Sequence, residues 1–91
     1  MPAYEKNADK ILARLKRIEG QMRGIQRMVE EDKYCVDILT QVSSVIAATE
    51  KVALIILRDH IKGCVYSSLK EGNSEDRIDE LVLVVERFLK A

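Results

Sequence analysis

Ninety-one residues, 47% hydrophobic and 33% charged with one proline and four glycines, suit one domain of helices with wet and dry faces and exclude a disordered or loop-rich chain. So short a chain buries a small share of its surface, and a partner chain is expected to complete the core. Fifteen basic and fifteen acidic residues cancel, which excludes a generally basic nucleic-acid binder. The opening MPAYEKNADK has no apolar leader and no unbroken apolar run reaches about 18 residues, so a cytoplasmic chain with no membrane attachment is expected.

From about Ala8, the residues Ile11, Leu15, Ile18, Met22, Ile25 and Val29 recur every three or four positions. This spacing predicts an amphipathic helix ending near Glu30 to Asp32. Residues 1–27 carry the bases Lys6, Lys10, Arg14, Lys16, Arg17, Arg23 and Arg27 against Glu5, Asp9 and Glu19, a local excess of +4 that leaves −4 for the remainder. On a helical wheel Lys6, Lys10, Arg14, Arg17 and Gln21 form one stripe, and Lys16, Arg23 and Arg27 another. Such stripes are either simply solvated or neutralise phosphates with release of counterions. No helix-turn-helix, zinc-finger or basic-zipper pattern accompanies them.

A second helical pattern runs from Tyr34 to about Lys70, interrupted only by Gly63, and some 36 residues would span roughly 54 Å. Its middle, Val52-Ala53-Leu54-Ile55-Ile56-Leu57, is apolar on almost every face. It is expected to pack against another copy of itself. Glu71-Gly72-Asn73-Ser74 supplies a stop, with Ser74 as the N-cap of a third helix from Glu75 to about Lys90. That helix carries Ile78, Leu81, Val82, Val85, Phe88 and Leu89 on one stripe, which reads as a docked amphipathic helix. The β-branched run within 81–85 favours a strand locally, but the flanking charges keep helical spacing. The expected fold is all-α, a three-helix protomer with one long central helix.

The two cysteines are Cys35 and Cys64, and thiols in a reducing compartment more often serve metal or redox chemistry than a structural disulfide. His60 and Cys64, four apart in a helical pattern, share a face and could hold one ion together. The third donor at hand, Cys35, lies 25 residues before His60 and so about 38 Å away along a straight helix. An antiparallel partner crossing between Ala47 and Thr49 would bring Cys35 of one chain opposite His60 and Cys64 of the other. Ser43, Ser44, Ala47 and Ala48 are small enough to allow that crossing. Two thiolates and an imidazole make a soft set that suits Cu(I), or Zn(II) with a water in fourth place. Packed thiols and a solvent-facing histidine are the plain alternative. A Cys with a His could also form a nucleophile pair, but no phosphate loop, oxyanion-hole motif or third catalytic partner accompanies them, so no enzyme is expected. A copper buffer or chaperone would bind metal without needing a basic first helix.

Arg14-Leu-Lys-Arg-Ile-Glu-Gly-Gln21, Tyr34-Cys-Val-Asp-Ile-Leu-Thr-Gln-Val-Ser-Ser44, Asp59-His60 with Cys64, and Glu80 together resemble the CsoR family of copper-sensing repressors, within the wider CsoR/RcnR group. The resemblance runs along nearly the whole chain. It implies that residues 1–91 form a single metal-sensing, DNA-binding domain, assembled as an antiparallel homodimer and a dimer-of-dimers homotetramer. It implies Cu(I) held across the dimer interface by Cys35, His60 and Cys64, with Tyr34 and Glu80 hydrogen-bonding around His60. Arg14 and Lys51 would contact operator DNA, with Lys16, Arg17 and Arg23 as weaker extensions, and Cu(I) would relieve repression of copper-resistance genes. Nickel and cobalt sensors of the group typically add N-terminal histidines, and His60 is the only histidine in this chain. Persulfide sensors keep two cysteines but lack the histidine, and a formaldehyde sensor pairs Pro2 with the first cysteine. Pro2 and Cys35 are both present, so a thiol-based persulfide- or formaldehyde-responsive repressor is the alternative on the same scaffold, and His60 with Cys64 tilts the choice to copper.

Overall fold

A computed structural model describes residues 2–72 and 74–90, without the side chains of Cys64, Val65, Ser68, Ser74, Leu89 and Lys90. A 3₁₀ turn, Glu5–Asn7, leads into α1 (Ala8–Glu30); α2 (Cys35–His60), a π turn (Ile61–Val65) and α3 (Tyr66–Glu71) follow, and α4 (Ser74–Lys90) closes the chain. No strand occurs among the described residues, and the β-branched run of 81–85 is helical.

α1 ends where its spacing predicts. Lys33 N–H reaches the Met28 carbonyl at 3.0 Å and Asp32 N–H that of Val29 at 3.2 Å, the paired bonds of a Schellman closure. The closure puts Asp32 at φ 56°, a left-handed position that Asp tolerates better than most side chains. At the far end, Gly72 takes φ 83° after α3, as expected of a glycine that stops a helix. Ser74, expected just before α4 as its cap, is instead the first residue of that helix. Its side chain, like Asn73, lies outside the described residues.

His60, Ile61 and Tyr66 all keep right-handed helical angles, so α2, the π turn and α3 form one rod over 35–71. This is the long central helix, with one departure. A π turn lodges a surplus residue in a helix, and here it surrounds Gly63, whose missing side chain leaves room for Ala3.

α1 and α2 pack as an antiparallel hairpin. Ile11 and Val52 are the buried hydrophobic side chains among the described residues, each 5% exposed, and Ile18, Ile25, Val45 and Ile55 are half-buried beside them. The contact face is rotated from the stripe read in the sequence, because Arg14 and Gln21 are half-buried while Leu15, Met22 and Val29 remain exposed. α4 turns back beside α2, but Val85 and Phe88 face Ala53, Leu54 and Leu57 across an open groove of about 280 Å³. Ile78, Val82 and Phe88 stay exposed, so the docking expected of α4 is loose within one chain.

The Cα trace measures 57 × 28 × 13 Å with a radius of gyration of 17.3 Å, against about 12 Å for a compact chain of this length. The protomer is a slab one helix thick. Cys35–Gly63 is long enough to cross a membrane and has a mean hydropathy of 1.4 over its most apolar window, a property shared with the core helices of soluble proteins. Counting unbroken apolar runs passes over it, since Thr40, Gln41, Ser43, Ser44 and Thr49 are interspersed.

Candidate metal centre and nucleic-acid interface

Cys35 opens α2 as an exposed free thiol. Tyr34 precedes it at the N-cap, where its carbonyl accepts the Asp37 and Ile38 amides at 3.0 and 3.2 Å and the residue is 67% exposed. His60 closes α2, half-buried, with Nε2 3.7 Å from Glu80 Oε1 of α4. The second Glu80 oxygen accepts from Arg77 Nη1 at 3.3 Å. An imidazole whose Nε2 faces a carboxylate presents Nδ1 as its donor atom.

Cys64 sits four residues after His60 in the π turn, and its side chain lies outside the described residues. Bonds running i to i+5 turn the chain slightly less per residue than an α-helix does, so positions four apart still share a face. The fold thus brings Glu80 to His60 but leaves Tyr34 and Cys35 at the other end of α2, about 38 Å away. Among the described residues no three His, Cys, Asp or Glu side chains converge within the chain. A thiol and an open imidazole nitrogen, with a second cysteine on the histidine's turn, are donors that fit a soft cation.

The basic residues gather along the α1–α2 seam. Lys10, Arg14, Arg17 and Gln21 of α1 face Ala48 of α2 across a groove of about 500 Å³, and the Gln21 Oε1 buried there has no hydrogen-bond partner among the described residues. Lys10 also lines the adjoining groove of about 450 Å³ with Lys51, Arg58 and Lys62. One continuous track therefore carries six bases. The acid on it is Asp59, whose Oδ2 accepts a hydrogen bond from Asn7 Nδ2 at 2.8 Å. Lys16 and Arg23 are exposed but line neither groove, and Arg23 pairs with Glu19 along α1.

The sequence profile of the metal-sensitive transcriptional repressor family matches residues 7–87. The chain belongs to the metal-sensitive transcriptional repressors. It is 55% identical over 86 residues to the copper-sensing transcriptional repressor CsoR of Bacillus subtilis strain 168, covering 94% of this chain and 85% of the relative. Among solved structures it is similar to the copper-sensing repressor CsoR with Cu(I) from Geobacillus thermodenitrificans NG80-2, at 42% identity and a TM-score of 0.91 over 98% of this chain and 93% of that one. The nickel-responsive transcriptional regulator InrS is similar at 41% identity and a TM-score of 0.78, covering 88% of this chain and 90% of that one. Metal-sensitive repressors of one fold thus answer different metals.

In this metal-sensitive repressor, the residues that sequence reasoning left out of the basic face are Arg58 and Lys62. They lie in a mostly apolar helix, so no charge excess flags them. Their spacing does, since Lys51, Arg58 and Lys62 fall seven and four apart on one face. Arg14 and Arg17 were legible as a stripe with Lys10, and the fold sets that stripe beside Ala48 and the seam.

Proposed function

We propose that the chain is a cytoplasmic, Cu(I)-responsive repressor that binds operator DNA in its metal-free form and releases it on binding Cu(I), derepressing copper-resistance genes. The observation that carries this reading is His60, set with Nε2 toward Glu80 on the turn that bears Cys64. Bound Cu(I) supplies a soft cation that joins two thiolates and an imidazole. Cys35, His60 and Cys64 are its ligands. Glu80 orients the ring and is itself held by Arg77, and Tyr34 reaches the ring together with Cys35 of a second chain.

Residues 1–91 act as one domain, and the ligand spacing calls for an antiparallel homodimer. The exposed row Val36, Leu39 and Ile46 of α2 supports this pairing, as do the hydroxyls among it. Thr40, Ser44 and Thr49 bond the carbonyls of Val36, Thr40 and Val45 at 2.9, 3.2 and 2.7 Å, so a partner can enclose them without stranding a polar group. Ala48 faces the seam with α1, which leaves Ser43, Ser44 and Ala47 for the crossing. Two such dimers make the homotetramer, with the exposed stripe of α4 available between them.

Operator DNA lies along the seam, held by Arg14 and Lys51 with Arg17, Lys10, Arg58 and Lys62 beside them, and by Lys16 and Arg23 at the margin. Metal and DNA then oppose each other reciprocally. The test is anaerobic binding to a duplex selected with the metal-free protein, with and without stoichiometric Cu(I), for wild type and His60→Ala. Release from the wild type alone supports the proposal; unchanged affinity in the wild type defeats it. Cys35 is an exposed free thiol, and release by a persulfide or formaldehyde while Cu(I) does nothing would establish the thiol-based reading instead.

A further inference from the structure

Two contacts tie the first residues of the chain to the ligand-bearing turn. Asn7 Nδ2 donates to Asp59 Oδ2 at 2.8 Å, one residue before His60. Gly63, one residue before Cys64, faces Ala3 so closely that a Cβ there would stand 3.0 Å from the Ala3 Cβ. Between these contacts the segment is held by its own turns, Glu5 N–H to Pro2 carbonyl at 3.1 Å and Asn7 N–H to Tyr4 carbonyl at 2.9 Å.

Asn7 occupies the N-cap of α1, and Asn is among the favoured cap residues. Its side chain nevertheless makes no cap bond, because its amide is turned to Asp59 across 52 positions of sequence. The Asp59 carboxylate thereby stands at the positive end of α1. One turn further along α1 comes Lys10, then Arg14 and Arg17, the residues that line the seam. A change in the ligand turn therefore has a short, bonded path to the start of the basic helix. The π turn also has a tighter, α-helical arrangement within reach, since it differs from one by a single surplus residue.

We propose that Asn7 is a positioning residue: with Ala3 seated on Gly63, its bond to Asp59 couples the His60–Cys64 turn to the basic face of α1. The inference rests on the Cu(I)-repressor reading above. In this role Asn7 acts through Asp59 and the start of α1, not as a ligand donor. It sets how Lys10 and Arg14 are presented when the ligand turn changes.

The measurement is the ratio of DNA affinities without and with stoichiometric Cu(I), on a duplex selected with the metal-free full-length protein. The wild-type ratio is expected at about 5- to 150-fold. Asn7→Asp sets two carboxylates against each other and is expected to lower the ratio about fivefold. Adding Asp59→Asn restores the bond with donor and acceptor exchanged, and the ratio returns. Taking the ratio within each variant cancels any change in DNA affinity that is common to the metal-free and Cu(I)-loaded states. In the metal-free protein, the Glu5 and Asn7 amides exchange faster in Asn7→Asp and recover in the double variant. A second route leaves Asn7 intact: Gly63→Ala presses on Ala3 and lowers the ratio, and Ala3→Gly restores it. An Asn7→Asp ratio within about twofold of wild type, or double variants that stay low, would overturn the coupling role alone. A wild type indifferent to Cu(I) overturns the proposed function itself.

Discussion

Glu80 holds one carboxylate oxygen 3.7 Å from His60 Nε2, across the gap between α4 and the end of α2. At that distance, and with Glu80 49% exposed, the pair contributes little to folding, less than about 1 kcal/mol. In the proposed site its effect is on the orientation of the ring. Glu80→Gln should therefore keep Cu(I) stoichiometry and thermal stability while weakening Cu(I)-driven release of DNA by about fivefold or more. Chelator competition and fluorescence anisotropy on one preparation check both halves, and a loss of metal binding would contradict the prediction.

Cys35 and His60 stand at opposite ends of α2, so the proposed Cys35–His60–Cys64 site needs two chains. Cys35→Ser and Cys64→Ser chains should each bind Cu(I) weakly alone. Co-expressed, they should regain about one quarter of the wild-type stoichiometry, because half of a random dimer pool is mixed and each mixed dimer has one complete site. Anaerobic titration of the mixture reads this directly, and no recovery would argue for a site within one chain.

Six bases follow the seam between α1 and α2. Arg14→Ala, Lys51→Ala and Arg58→Ala should each flatten the log–log dependence of DNA affinity on salt by about 1. Lys16→Ala and Arg23→Ala should change the slope less. Equal slopes across all five variants would place DNA elsewhere on α1.

Ile11 is enclosed by its own chain, whereas Ile46 is 54% exposed on α2. Ile11→Ala should lower unfolding stability by about 2–5 kcal/mol through the cavity it leaves. Ile46→Asp should dissociate the assembly, as seen by sedimentation, if α2 pairs along that row. A single-chain surface position would tolerate the same change within about 0.5 kcal/mol.

Much of this was legible in residue order because it depends on local periodicity. Gly72 and the four-three spacing of Ile11 to Val29 fixed the helix ends to within a residue or two. The π turn was not legible, since Gly63 reads equally well as a tolerated helical glycine, and its partner Ala3 lies 60 positions earlier in the sequence. The face of α1 was read half a stripe out of place, because the wheel shows where apolar residues are and not which edge α2 will cover. The His60–Glu80 approach followed from resemblance, and the Asn7–Asp59 bond from nothing in the spacing.

Among the described residues this slab encloses two hydrophobic side chains, so in the proposed homodimer its folding is coupled to meeting another copy. Stability then scales with the number of chains in the cell, as it does for any fold completed by association. A cell making few copies would hold a larger share of unpaired, protease-accessible chains. Abundance thereby sets both how tightly genes are silenced and how long each silencer survives.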